Sequence, residues 1–179
     1  NKYLGNPACV VPLQNWLSSK QMLNIAKNNN VAETAFFIKK ENYFDLRWFT
    51  PDIEMDLCGH ATLATAHCIV KHFNYSDKII KFKSLSGDLN VSAIDNVYHL
   101  DLPKRVPIKS ELPEYIYHSL SIKPKSVLKS RDYVLIYDSQ DQIEQLSINR
   151  ILFDKINLDT GGVVVTAKGN ECDFVSRFF

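Results

Sequence analysis

Residues 61–73 place the strongest constraint on how this chain can fold. The segment is rich in alanine and other small residues, and apolar side chains cover most of its faces as far as Val70. A helix that is apolar on several sides must be covered by other structure. The flanking segments are rich in β-branched and aromatic residues, which are typical of strands. We therefore expect strands arranged around one buried helix.

Strand patterns occur on both sides of this helix. In residues 43–49, Phe44, Leu46 and Trp48 alternate with more polar residues, as expected of a strand that buries one face. Ahead of them, Ser18 and Gln21 form a capping-box pattern, which predicts a surface helix that stops at residues 28–30. Further strands are predicted at 34–38, 78–83, 88–94 and 97–102, with a turn at Asp95-Asn96 before the last.

A polar, proline-containing stretch at residues 103–113 predicts a linker between two lobes, residues 1–103 and 104–179. Both lobes combine strands and helices, so the predicted fold class is α+β. The second lobe is expected to contain helices at 115–120 and 140–146, the latter capped by Asp138 or Ser139, and strands at 133–137, 162–166 and 173–179.

The charges of the chain nearly cancel, with 21 Lys and Arg against 20 Asp and Glu. This balance argues against binding of nucleic acid or of an anionic membrane, so the expected partner is a small molecule. A cytoplasmic location is expected, because no apolar run approaches the roughly 20 residues that span a bilayer. The four cysteines lie far apart without a C-x-x-C pair, which argues for free thiols and against a zinc site.

Glu33 is the first candidate for chemistry. It lies between an asparagine run and the apolar strand at 34–38. Loss of hydration at the mouth of such a strand favours the protonated form of a carboxyl group, as a general base working near neutral pH requires. A solvated loop glutamate is the alternative, and the position by itself leaves both interpretations open.

Residues 56–62, Asp-Leu-Cys-Gly-His-Ala-Thr, form the second candidate. Gly59 allows a close approach ahead of the buried helix, whose first N–H groups are unpaired donors suited to a carboxylate or an enolate. His60 could shuttle a proton, and the Cys58 thiol, at a helix N-terminus, could act as a base or nucleophile. The alternatives are an ordinary capping turn with a surface histidine and a buried, inert cysteine.

The other histidines give no metal signal. His60 and His67 are spaced to share a helix face, but no further ligands are evident, and neither a metal nor another cofactor is expected. We interpret the remaining histidines as core or surface residues: His67, His72, His99 and His118.

Several segments can be compared with a known family. They are Gly-Asn-Pro-Ala at 5–8, Asn-Val-Ala-Glu-Thr-Ala-Phe-Phe at 30–37, Arg-Trp-Phe-Thr-Pro at 47–51 and the 56–62 segment, followed by 129–133, 162–167 and 173–179. In order and spacing they resemble the phenazine-biosynthesis PhzF-like family. The resemblance covers essentially the whole chain.

This resemblance implies the diaminopimelate epimerase-like fold, with two similar lobes of strands around a central helix and an active site in the cleft between them. It also implies an isomerase without a cofactor, in which Glu33 is the acid and base and His60 assists. The expected assembly is a homodimer. Substrate contacts, to a small carboxylate-containing metabolite, are expected from Asn6, Cys58, Gly59, Ala61 and Thr62.

Two departures from the family pattern bear on the site. The family has a strand before the Gly-Asn-Pro loop and, soon after the segment matching 173–179, an acidic turn that ends in Thr-Gly-Ser. Neither is in this sequence. We therefore expect the chain to be part of a longer protein, truncated within its second lobe and holding half of a site.

Two other functions remain open at this point. Related epimerases use a Cys-Gly-Asn turn with a thiol base from each lobe, and Cys58 lies at the matching position, although His60 replaces the asparagine. The second hypothesis is therefore an amino-acid epimerase or racemase with Cys58 as a base. The third is a non-catalytic binding protein that retained the fold.

Overall fold

The computed structural model describes residues 5–95, 97–156, 158 and 161–179. The chain divides into two compact units, Asn1–Pro103 and Lys104–Phe179. Each unit has its own sheet and its own apolar core. None of the helices within the described residues is long and apolar enough to cross a membrane.

Within the described residues, the first unit contains two helices and seven strands. The helices are α1 (Ser19–Asn29) and α2 (Gly59–His72), and the strands are β1 (Ala8–Leu13), β2 (Glu33–Lys39), β3 (Phe44–Phe49), β4 (Glu54–Met55), β5 (Ile79–Ser84), β6 (Gly87–Ile94) and β7 (Val97–Asp101). The sheet order is β1-β2-β3-β5-β6-β7, and β4 pairs with β3. The pairs β1–β2 and β3–β5 are parallel, and the others are antiparallel.

The first sheet curves around α2. This helix contacts β1 and β2 at one end of the sheet order and β7 at the other end. A flat sheet could not bring both of its edges to one helix, so the sheet wraps it. The expectation of a buried helix surrounded by strands is confirmed.

The alternation of side chains along β2 separates two apolar clusters. Ala35 and Phe37 point to the core that contains α2, whereas Phe36 packs against Met22 of α1 on the other face. Because alternate residues of a strand share a face, Glu33 lies on the same face as Ala35. The strand therefore directs Glu33 toward α2.

In the part of the second unit that the structure describes, a five-stranded sheet is covered by short helices. Its strands are β8 (Ile108–Lys109), β9 (Ser126–Lys129), β10 (Tyr133–Ile136), β11 (Val163–Ala167) and β12 (Val175–Phe178), and its helices are α3 (Glu114–Ser119), α4 (Gln140–Gln145) and α5 (Arg150–Phe153). The strand order is β12-β11-β10-β9-β8, with only the β10–β11 pair parallel. Leu135, Val163 and Val165 are fully buried in its core.

The local signals predicted many of these elements. Helix α1 begins after Ser18 with the expected capping box to Gln21, and Ser139 caps α4. The predicted turn at Asp95-Asn96 lies partly outside the described residues, because Asn96 is not among them. Asp95 itself adopts a left-handed conformation, with φ of 50°.

Five elements differ from the prediction. The segment 103–113, predicted to be a linker or the crossing between two lobes, contains the short strand β8. Strands β1, β4 and β9 and helix α5 were not predicted either. β1 carries Pro12, which has no N–H to donate and argues against a central strand. It is tolerated because β1 lies at the edge of the sheet and pairs with β2 alone in the described strand order.

We expect Ser18→Ala to destabilise the chain by about 1 kcal/mol, because the Ser18 side chain accepts a hydrogen bond from the Gln21 N–H and holds the Gln21 side chain in return. Urea unfolding followed by circular dichroism would measure this loss. Ser18→Asp is the matched control, since it keeps an acceptor at the N-cap. Equal destabilisation by both variants would contradict the capping assignment.

The buried side chain of Tyr137 should make the stability of the second unit depend on pH. Burial raises the pKa of Tyr137 from its ordinary value of 10.0 to about 12, and its hydroxyl donates to the Ile122 carbonyl at 2.9 Å. The folded state therefore retains the phenol proton longer than the unfolded state does. The stability that the proton contributes is fully present below about pH 10 and is lost as pH rises toward 12.

We expect Tyr137→Phe to cost about 1 kcal/mol near neutral pH, where one hydrogen bond is lost. The difference in unfolding free energy between the wild type and this variant should shrink as pH rises through about 10 to 11. In that range the phenol ionises in the unfolded wild type but stays protonated in the folded state, so the wild type loses stability and the variant does not. Urea unfolding of both proteins at several pH values would measure this. A difference that stays constant with pH would contradict the assignment.

Candidate active site

Glu33 is the first residue of β2, and its backbone pairs with Ala8 of the edge strand β1. Its side chain is mostly buried, with 15% of its surface exposed. The strand end holds the carboxylate at the rim of the core rather than in a solvated loop. The structure therefore places Glu33 in a mostly buried position and not in an exposed surface loop.

Cys58 and His60 lie at the start of α2. Cys58 is the N-cap residue, with extended backbone and a side chain that is not hydrogen-bonded to the helix as a cap. Only 7% of Cys58 is exposed, and its Sγ lies 3.5 Å from Nδ1 of His60. The imidazole is thus in contact with the thiol through one of its two nitrogens.

The other nitrogen of His60 faces Glu33. Nε2 lies 3.0 Å from Oε2 of the carboxylate, a distance that suits an ion pair. Both atoms are buried, yet their orientation does not make a hydrogen bond, and neither has another partner within the described residues. We interpret them as close but unbonded, because a hydrogen bond requires direction as well as distance. Buried polar atoms in this condition are rare and often belong to functional sites.

The three side chains form one cluster. The ligand atoms of Glu33, Cys58 and His60 lie within 4.8 Å of one another, and no other such group of acidic, thiol and imidazole side chains occurs in the described part of the chain. Carboxylate, thiolate and imidazole are donors that zinc accepts, so these residues are the ones that could hold a metal ion. They are also acid and base groups, and proton transfer needs no additional component.

The first turn of α2 supplies backbone donors beside this cluster. The N–H groups of Gly59, His60 and Ala61 have no partner inside the helix, because they precede its first complete turn. Thr62 differs: its N–H and its hydroxyl both donate to the Cys58 carbonyl, at 3.2 and 2.6 Å. The side chain of Thr62 is fully buried and its two donors are used within the helix, so its substrate contact stays a prediction.

Asn6 and Gly59 lie near the same end of the sheet. Asn6 is exposed and lies two residues before the start of β1, while Ala8 in β1 is opposite Glu33. A Cβ atom at Gly59 would meet Leu100 at an ordinary 3.8 Å. Within the first unit, glycine at this position is therefore not a steric necessity, which leaves the approach of a substrate as its candidate role.

Trp48 is a feature that sequence reasoning did not identify. It is fully buried on the same sheet face, opposite Ala35, and its indole N–H has no acceptor in the described residues. The period-two pattern of β3 predicted that Trp48 is buried. No sequence signal indicated that its N–H would remain unpaired, because that depends on which acceptors surround it.

A cavity of about 550 Å³ lies elsewhere in the first unit, on the exposed face of β5, β6 and β7. Its lining includes Lys81, Asn90 and His99 and none of the three clustered side chains. We assign the chemistry to the cluster because it combines titratable groups with unpaired buried atoms.

Comparisons of sequence and of structure both match this chain to phenazine biosynthesis-like proteins. The family model described as phenazine biosynthesis-like protein, PhzC-PhzF, matches residues 1–132. An uncharacterized isomerase of Pseudomonas aeruginosa is 38% identical over 178 residues, which are 99% of this chain and 68% of that protein. The crystal structure of a PhzF-family phenazine biosynthesis protein from Enterococcus faecalis has a TM-score of 0.83 at 38% identity, covering 98% of this chain and 67% of that one.

More distant structures support the fold alone. A predicted epimerase from Pseudomonas aeruginosa has a TM-score of 0.63 at 16% identity, covering 90% of this chain and 64% of that one. The expected α+β, diaminopimelate epimerase-like fold is confirmed by these neighbours.

We expect Gly59→Ala to change the free energy of unfolding by less than about 1 kcal/mol, because the added methyl group has space and alanine favours helix. Gly162→Ala is the contrasting variant: its Cβ would lie 2.7 Å from the Phe179 carbonyl oxygen, so we expect a loss of about 1 to 3 kcal/mol. Denaturant unfolding would compare the two. A strongly destabilised Gly59→Ala protein would assign Gly59 to folding and not to substrate access.

Proposed function

Because the chain belongs to the phenazine biosynthesis-like protein family, we propose that it is an isomerase that moves a proton on a small carboxylate-containing metabolite. The relative from Pseudomonas aeruginosa is named an isomerase, which supports this class of enzyme. The observation that carries the proposed mechanism is the buried and unbonded pair of Glu33 Oε2 and His60 Nε2.

Glu33 is the proposed base. Its carboxylate takes a proton from a carbon next to the carboxylate or unsaturated system of the substrate, and the electrons of that C–H bond move into the system. The same proton, or one relayed through His60, is returned to another carbon of the substrate. The product is an isomer, and Glu33 is again a carboxylate.

The geometry of the pair supports this role. Oε2 and Nε2 are close enough to exchange a proton through a shared group, yet each keeps its hydrogen-bonding capacity because they are not bonded to each other. A substrate group that reaches both atoms would supply the missing partners.

The start of α2 is the proposed anion site. The N–H groups of Gly59, His60 and Ala61 and the positive end of the helix dipole favour a carboxylate or a developing enolate. Such donors stabilise charge that forms during the reaction without moving. The start of α2 would then bind the anion, and Glu33 at the start of β2 would transfer the proton.

The proposed activity can be tested without knowing the substrate. Carboxylate-containing metabolites would be incubated with the protein in D₂O and examined by NMR for deuterium next to the carboxylate or unsaturated group, and for new isomers. Exchange in at least one compound is expected. Failure across a broad set would favour the non-catalytic binding protein instead.

With a reacting compound identified, we expect Glu33→Gln to lower kcat by about 10² to 10⁴, the usual contribution of a general base. The amide keeps the shape of the side chain but cannot accept the proton. Glu41→Gln is the matched control, because Glu41 is exposed in the turn after the same strand. Unchanged turnover by Glu33→Gln would contradict the assigned role.

The position of Cys58 in the cluster supports a second candidate function. In this alternative the protein is an epimerase or racemase and the Cys58 thiol is the base. The same assay distinguishes the two. Activity that is retained in Glu33→Gln but abolished in Cys58→Ser would favour the thiol base, because serine is far less acidic than cysteine.

A further inference from the structure

Cys58 is held rigidly at the start of α2. Its carbonyl accepts hydrogen bonds from both the N–H and the hydroxyl of Thr62, at 3.2 and 2.6 Å. Its side chain is buried in the first core. The Sγ atom therefore has a defined position relative to the helix on which His60 also lies.

The two nitrogens of His60 face different groups. Nδ1 lies 3.5 Å from the Cys58 Sγ, and Nε2 lies 3.0 Å from the Glu33 Oε2. A neutral imidazole has one N–H donor and one acceptor nitrogen, so the neighbours decide which nitrogen carries the proton.

Electrostatics distinguishes the two tautomers. If Nδ1 carried the proton, Nε2 would be an acceptor lying only 3.0 Å from a carboxylate oxygen, and two acceptors at this distance repel each other. If Cys58 were a thiolate, a second negative charge would lie within 4.8 Å of Glu33 in a partly buried cluster. Both problems disappear when a neutral thiol donates to Nδ1 and the proton lies on Nε2.

We propose that Cys58 is a positioning residue, whose thiol donates to Nδ1 of His60 and holds the imidazole in the form protonated on Nε2. The proton-bearing nitrogen is thereby presented on the Glu33 side of the ring. This inference rests on the proposed function, in which His60 relays a proton beside Glu33. It assigns to Cys58 a role other than that of a base.

The test measures the tautomer directly. The protein is labelled with ¹⁵N-histidine, and two-bond ¹H–¹⁵N correlations at neutral pH identify which ring nitrogen is protonated. The His60 signals are assigned by their loss in His60→Gln. The other four histidines remain as internal indicators of folding.

In the wild type we expect His60 to be protonated on Nε2. Cys58→Ser keeps an O–H donor and should retain this form, whereas Cys58→Ala should give a mixture of both tautomers. Cys58→Val, which fills similar space without a donor, repeats the test should the alanine variant not fold. Cys68→Ala is the matched control, because it removes another thiol from α2 and should leave the His60 signals unchanged.

Two results would overturn the inference: a wild-type His60 protonated on Nδ1, or a His60 tautomer that is the same in the wild type and in a folded variant without a donor at position 58. No substrate is needed for this measurement. A Cys58-dependent tautomer in a protein that catalyses no exchange would therefore overturn the proposed function and leave the role of Cys58 intact.

Discussion

The packing of α2 inside a curved sheet is the constraint on which the first unit depends. The sheet can reach α2 from β1 and from β7 because the buried face of the helix contains small residues, including Ala61 and Ala66. The hydroxyls of Thr62 and Thr65 donate to carbonyls one turn earlier, so the polar groups on this face are satisfied within the helix. The helix start is consequently fixed against the start of β2.

This fixed geometry allows the core to tolerate an unfavourable arrangement at its rim. A buried polar group without a partner costs about 1 to 3 kcal/mol, and the facing atoms of Glu33 and His60 are both in this condition. The surrounding apolar packing offsets this cost and keeps the two groups in place. Local violations of otherwise consistent packing are expected where a chain binds or transforms a ligand.

Local sequence signals were sufficient for elements with a strong pattern. The capping box of Ser18 and Gln21 predicted the start of α1, and the alternation in residues 43–49 predicted β3 and its buried face. Short strands such as β4 and β8 were not predicted, because two residues are too few to show periodicity. β1 was not predicted because Pro12 argues against a strand unless that strand lies at a sheet edge. Their existence depends on pairing with distant segments.

The sequence by itself determined which groups are available for chemistry and the local element on which each lies: Glu33 at the mouth of a strand, and Cys58, Gly59 and His60 at the start of a helix. It left open whether these groups meet. Only the tertiary structure decided that Glu33 faces α2 and that Cys58 and Glu33 contact opposite nitrogens of His60. The physical reason is that periodicity sets the face of a side chain, whereas distance and orientation between elements come from long-range packing.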